Sequence, residues 1–388
     1  MSIFQNNLFG AAVSSAASPD VSPGGLWAWG YNGFGQLGLG NTTNYSSPVQ
    51  VESSEDWKYI FSGGQPKKGA SFAIKTDGSL WAWGYNKFGM LGLGDATNTH
   101  SSPTQVGSLT DWKSVSIGRY NSFFTKTDGT LWAVGENNDG ILGIGDTTDR
   151  SSPVQIGSLT TWRNTFASGY CGFGIKTDGT LWVWGNYKSL GGTGSLTGTS
   201  SPIQVGSDTN WANMECQLQS LTAVKTDGTL FTWGSGEQGR SDHGNTTTYS
   251  SPVQVGSDTD WNTSTTQYVG QAAGEKQGHA LKTDGTVWGW GENERGELGN
   301  GTTTAHGTGL SSPVQFGAES NWVKIHSVYR TTMAINSSGE LWGCGSNRFG
   351  ELGQGNTTNR CSPVQVGTET DWSAARAGSE NILALRTA

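Results

Sequence analysis

Apolar and polar positions alternate with a period of two in short runs along this chain, and one run keeps returning. Its first copy is Leu26-Trp27-Ala28-Trp29-Gly30, and six more begin at Leu80, Leu131, Leu181, Leu230, Val287 and Leu341. The steps between the first aromatic residues (Trp27, Trp81, Trp132, Trp182, Phe231, Trp288, Trp342) are 54, 51, 50, 49, 57 and 54 residues. The alternation predicts strands, and the recurrence at this length predicts a repeat architecture.

Every copy predicts the same companions. Lys-Thr-Asp-Gly precedes five copies, starting at Lys75, Lys126, Lys176, Lys225 and Lys282, and Asn336-Ser337-Ser338-Gly339 is a looser sixth. Asp-Gly supplies the positive φ of a tight hairpin turn. The run before it, such as Ser71-Phe72-Ala73-Ile74, is therefore the partner strand. A glycine-rich connection follows, as in Gln36-Leu37-Gly38-Leu39-Gly40. Ser-Pro-x-Gln segments at Pro48, Pro103, Pro153, Pro202, Pro252, Pro313 and Pro363 read as outer edge strands, where proline is tolerated. Nine residues after each proline a second tryptophan (Trp57, Trp112, Trp162, Trp211, Trp261, Trp322, Trp372) opens a further strand. The two motifs account for all 18 tryptophans.

About four strands per repeat is the size of a propeller blade. The final run, Ile382 to Thr387, matches Phe72 to Thr76 and stops where a turn is due, while its missing continuation is Leu26 to Gly30. The expected fold is all-β: a seven-bladed β-propeller of four-stranded antiparallel blades over residues 25–388, closed by pairing of the N- and C-terminal strands in one blade. Such closure removes open sheet edges. Residues 1–24 stand outside it as a docking or disordered tail.

Composition narrows the function classes. Charged residues are 14% and the net charge is −8, with Lys and Arg scattered. No basic stripe for phosphate backbones results, so no nucleic-acid partner is expected. The four cysteines show no C-x-x-C spacing, which argues against a zinc site or a disulfide framework. The first basic residue is Lys58, so the tail lacks the positive start of a secretory signal, and it is too short and polar to span a bilayer. His100, His243, His279, His306 and His326 fall in different repeats without a repeated partner, so no nucleophile–base set is predicted. Asn137 to Gly140 and Asp146 to Asp149 look like fragments of calcium loops, but the closing glutamate is missing. The expectation is a non-enzyme with no cofactor and no metal.

The succession of strand, Asp-Gly, Leu-Trp-x-Trp-Gly-x-Asn, Gly-x-Leu-Gly-x-Gly and Pro-x-x-Val resembles the regulator of chromosome condensation repeat family over residues 25 to 388. The resemblance implies a seven-bladed propeller. The family often carries Gly-His before the strand leading to Asp-Gly; here only Gly278-His279 matches, and His279 is expected to be structural. The resemblance covers nucleotide-exchange factors, a plant photoreceptor, ligase adaptors and a bacterial enzyme inhibitor, all of which act through surfaces.

Binding residues are sought where repeats break their own spacing, because loops on rigid scaffolds carry recognition. From the second tryptophan to the turn lysine the usual distance is 14 residues, but it is 18 from Trp57 to Lys75 and 21 from Trp261 to Lys282. Those insertions hold Lys67 and Lys68, and Tyr268 and Lys276. The loop from Trp288 to Pro313 is longer than its counterparts and holds Glu294 and Arg295. Two repeats lose the Gly-x-Leu-Gly-x-Gly pattern, in the stretches containing Tyr187 and Lys188, and Glu237, Arg240, Asp242 and His243.

The opening Met1 to Leu8, followed by Gly10-Ala11-Ala12, is similar to the start of structural proteins of marine tailed phages. That resemblance implies a docking tail through Ile3, Phe4, Asn6, Leu8 and Phe9. It also implies a virion protein of tail or capsid that meets other virion proteins, host receptors or glycans, as a homo-oligomer or singly. The alternative is a soluble cytoplasmic interaction module or inhibitor.

Overall fold

The computed structural model describes residues 22–96, 99–186, 192–193, 198–216, 220–241, 243–264, 271–273 (backbone only) and 276–387. Residues 1–21, including the whole proposed docking set, lie outside the described residues, as do Tyr187, Lys188, Asp242 and Tyr268.

In six blades the second tryptophan opens the innermost strand; in blade 5 Trp261 makes only a bridge to Lys282 and the inner strand follows at Gln271–Ala273. In blade 1 the order from channel to rim is Trp57–Gln65, Lys68–Lys75, Leu80–Tyr85 and Thr99–Gln105. Blades 2 to 6 repeat this arrangement as five four-stranded antiparallel sheets, with inner strands at Trp112–Ile117, Trp162–Ala167, Trp211–Cys216, Gln271–Ala273 and Trp322–Val328. Blade 7 takes Trp372–Ala377 and Asn381–Thr387 from one end of the chain and Gly24–Gly30 and Tyr45–Gln50 from the other. The clasp runs in unbroken register from Gly24↔Thr387 to Gly30↔Asn381. Each inner strand packs against those of both neighbouring blades, and Trp372–Ala377 packs against Trp57–Gln65, so the ring closes at seven.

Six repeats share a clamp between the two tryptophan motifs. Lys176 sits 5.0 Å from the Trp162 ring and 3.5 Å from the Trp182 ring, and the two indoles meet edge to face. Lys75, Lys126, Lys225 and Lys282 occupy equivalent places, with Phe231 replacing one tryptophan, and Arg386 lies between Trp27 and Trp372. A cation over an indole is worth roughly 0.5–2 kcal/mol, depending on desolvation. The lysine of Lys-Thr-Asp-Gly is thus the bolt of the five blades that carry it, a role that turn chemistry alone does not show. The aspartate does cap the turn: Asp77 accepts from the Ser79 amide at 2.8 Å.

Hydrogen bonds tie the blades together. Trp83 Nε1 donates to the Gln36 carbonyl at 2.9 Å, Trp290 Nε1 to the Arg240 carbonyl at 3.0 Å and Trp29 Nε1 to the Glu351 carbonyl at 2.7 Å. After each such tryptophan the backbone must turn; Gly30 does so at φ +97°, where a Cβ would stand 2.7 Å from the Glu380 carbonyl oxygen.

The glycine-rich loops are held by one asparagine two residues further on. Asn347 Oδ1 accepts from the Leu352 amide at 2.8 Å and its Nδ2 donates to the Asn356 and Thr358 carbonyls at 3.0 Å each. Asn32, Asn86, Asn137 and Asn293 accept from Leu37, Leu91, Leu142 and Leu298 in the same way. The two repeats that lost the glycine pattern carry Tyr187 and Gly236 at this position. The calcium-like fragment is part of this device: Asn137 Nδ2 bonds Asp146 at 2.9 Å and its amide bonds Asp149 at 2.7 Å. Its carboxylates therefore serve the loop itself.

Candidate functional site

Strand direction sorts the connections onto two faces. Asp-Gly turns and blade-to-blade connectors lie on one, the turn face. Glycine-rich loops and the hairpins leaving the inner strands lie on the other, the loop face. Four of the five irregular segments singled out in the sequence are bounded by strand ends on the loop face. The insertion of the fifth repeat instead falls between Asn262, opposite Leu281, and Gln271, opposite Ala280, within the inner strand, and the turn face keeps its regular spacing.

Several expected binding residues come together there. Exposed Lys67 has a left-handed backbone at φ +64°, and its Nζ lies 5.6 Å from the Phe349 ring; half-buried Lys68 lies 5.7 Å from the Tyr85 ring. Exposed Arg295 lines a cavity of about 440 Å³ with Tyr329, Arg330, Arg348 and Glu380. Glu294 accepts from the Gly307 amide at 2.7 Å, meets His306 at 2.7 Å and Arg330 at 3.3 Å, and these partners hold its carboxyl down at about 2. Lys276 pairs with buried Glu292 at 3.7 Å.

Others do not belong to this surface. Arg240 is 4% exposed, because it stands where Gln36, Glu297 and Glu351 stand in other repeats, under the tryptophan of the next blade. Its expected contact role is corrected to a structural one. Half-buried His243 packs on Tyr249 at 4.8 Å and against Thr232 at 3.0 Å. Glu237 is exposed, 3.5 Å from the Arg240 guanidinium. His279 is fully buried against Phe316, and burial pushes its imidazole down to about 3. The four cysteines are free thiols.

The central channel was not anticipated. It holds a cavity of about 400 Å³, open toward the loop-face hairpins, where Gln65, Arg119, Tyr170 and Tyr329 form its mouth. The residue four places after the second tryptophan lines it in six blades: Phe61, Ser116, Phe166, Glu215, His326 and Arg376. Burial pushes the Glu215 carboxyl up to about 7, with Arg376 opposing the shift. Burial and the Arg376 charge push His326 well below its ordinary value, and its Nδ1 accepts from the Ala377 amide at 3.1 Å. The neutral ring therefore carries its hydrogen on Nε2. The signal was present in the chain as a fixed offset from an unvarying tryptophan; the variety of residue types at that offset concealed it.

Among the described residues no group of carboxylates, cysteines and histidines is arranged to hold a metal ion. No described helix is long and apolar enough to cross a membrane.

A family profile described as "Regulator of chromosome condensation (RCC1) repeat" matches residues 23–65, 77–125, 128–172, 284–335 and 338–385. The chain is similar to the ultraviolet-B receptor UVR8 of Arabidopsis thaliana, 26% identical over 347 residues, covering 88% of this chain and 53% of the receptor. It is also similar to the regulator of chromosome condensation of Xenopus laevis, 31% identical over 150 residues, 38% of this chain and 34% of that protein. The chain thus spans at most about half the length of these relatives. Prp20p of Saccharomyces cerevisiae, whose structure is described with its binding to Gsp1p and histones, superposes with a TM-score of 0.82 at 16% identity, covering 96% of this chain and 93% of that one. That likeness shows a shared fold.

Proposed function

Because this chain belongs to the regulator of chromosome condensation repeat family, we propose that it is a non-catalytic protein-interaction module whose partner docks on the loop face. The observation that carries this reading is the segregation of irregularity. One lengthened hairpin, one lengthened loop and two degenerate loops open toward one side of an otherwise repetitive ring, whereas the fifth-repeat insertion, between Asn262 and Gln271, interrupts an inner strand. A scaffold tolerating random insertion would spread them over both faces.

The surface has suitable chemistry. Lys67, Arg295 and Arg348 bring exposed guanidinium and ammonium groups beside Phe349 and Tyr329. Arginine and aromatic residues are enriched at interface centres. Glu294 and Glu380 reach the edge of the same patch with carboxylates, so the partner presents mixed charge and not a uniformly acidic strip. The named relatives are cellular proteins, which supports the interaction-module expectation over the virion one.

The test is affinity capture from the native source with cross-linking. The double variant Lys67→Glu, Arg348→Glu is compared with the turn-face variant Glu55→Lys. A partner recovered by wild type and by the turn-face variant, and reduced at least tenfold by the loop-face variant, supports the reading. Retention by the loop-face variant, or loss with Glu55→Lys, overturns it.

A further inference from the structure

The channel lining divides into two halves of unlike character. Phe61, Val115, Ile117 and Phe166, from blades 1 to 3, give that side its apolar surface, interrupted by the small hydroxyls of Ser62, Ser116 and Ser168. Glu215, His326, Arg376 and Ser379, from blades 4, 6 and 7, make a polar one. A ring serving only to fill the middle of a repeat protein would carry one residue type in most blades, as the clamp does with lysine in five of seven. Here a single register position takes six side chains of five types.

The polar wall is rich in donors. Arg376 is 4% exposed and Ser379 1%. Ser379 Oγ has no hydrogen-bond partner among the described residues, although it lines the cavity. Leaving a buried hydroxyl unsatisfied costs roughly 1–3 kcal/mol unless a ligand or water completes it. The His326 tautomer fixed by Ala377 adds an N–H donor. The cavity volume falls within the roughly 300–1,000 Å³ range of small-molecule pockets, which typically combine apolar walls with a few convergent polar groups.

We propose that the channel is a binding site for a small organic carboxylate with an aliphatic or aromatic body, its head on Arg376 and Ser379 and its body on Phe61 and Phe166. A planar carboxylate matches the guanidinium fork. A phosphate dianion fits less well, because Glu215 shares the pocket and would add a further negative charge as pH rises. Glu215 also gives binding a pH sign: protonated, it offers a donor; ionised, it repels the ligand head. The site does not depend on the partner-docking reading.

The full chain is titrated with 3-phenylpropanoate and hexanoate, and with their neutral amides, by calorimetry and saturation-transfer NMR at pH 6 and pH 8. We expect saturable binding of the acids, at least tenfold weaker binding of the amides, and tighter acid binding at pH 6. Arg376→Gln should weaken acid binding at least tenfold and Ser379→Ala by a few-fold, with unchanged amide binding. Thermal melting checks that the variants fold, and Ser379→Ala, which removes only a hydroxyl, decides the matter should Arg376→Gln unfold. Absence of saturable acid binding at millimolar concentration, equal binding of acid and amide, or undiminished binding in the folded variants overturns the proposal.

Discussion

Trp29 Nε1 and the Glu351 carbonyl, 322 residues apart in the chain, form a 2.7 Å hydrogen bond that ties blade 7 to the loop of blade 6. Trp29 is fully buried, whereas Trp27, two residues earlier, is partly exposed over Arg386. Trp29→Phe leaves the carbonyl without its donor and opens space in the core. The expected cost is about 2–3 kcal/mol. Trp27→Phe should cost less, and chemical denaturation of the two variants checks the order.

The clamp makes a second prediction. Lys176→Ala removes the cation from between Trp162 and Trp182 and leaves both rings without their filler. A loss of about 1–3 kcal/mol is expected. Lys176→Arg should be nearly neutral, since Arg386 performs this role in blade 7. Equal losses for the two substitutions in thermal melts would refute the clamp.

Glu297 and Glu351 give the fold a pH dependence. Each is buried, each accepts a backbone amide at 2.8 Å, and burial pushes each carboxyl up to about 7. The folded state therefore holds these protons more tightly than the unfolded chain. Their contribution to stability is full below the ordinary carboxylate value of about 4.3 and is lost as pH rises toward 7. Gln36 does the same work in the first loop, accepting from the Phe34 amide at 2.9 Å without a titrating group. The double variant Glu297→Gln, Glu351→Gln should be more stable than wild type at pH 8 and show a flatter stability profile between pH 4.5 and 7. Melting curves across that window are the measurement.

Asn347→Ala should cost about 2–4 kcal/mol, because it strips three loop groups of their partners. Asn186→Ala should cost less than about 1 kcal/mol. Asn186 sits one place too early for the loop role and instead donates to Asp139 at the surface, at 2.9 Å. Hydrogen exchange at the Leu352 amide gives an independent reading.

The scaffold was legible because its elements rest on local rules. Asp-Gly fixed the hairpins, proline fixed the outer strand, and the severed strand at each end implied the clasp. What escaped depended on contacts across repeats. Nothing local says that Lys75 reaches back over Trp57, or that Arg376 and His326 face one chamber. The broken glycine pattern around Arg240 suggests an exposed loop, although the described equivalents of its position, Gln36, Met90, Ile141, Glu297 and Glu351, are all buried. The loop-face grouping of Lys67, Arg295 and Arg348 needed the ring to be closed before residues hundreds of positions apart became neighbours.

The clasp has a consequence for biosynthesis. Gly24–Gly30 leaves the ribosome about 350 residues before its long partner, Asn381–Thr387. Six finished blades must wait with an unsatisfied edge at either side, at the stage when aggregation threatens most. Contacts this distant in sequence also form slowly. A nascent chain of this design should therefore lean on chaperones until Asn381–Thr387 has emerged, and copies stalled before it should be the ones that proteases find.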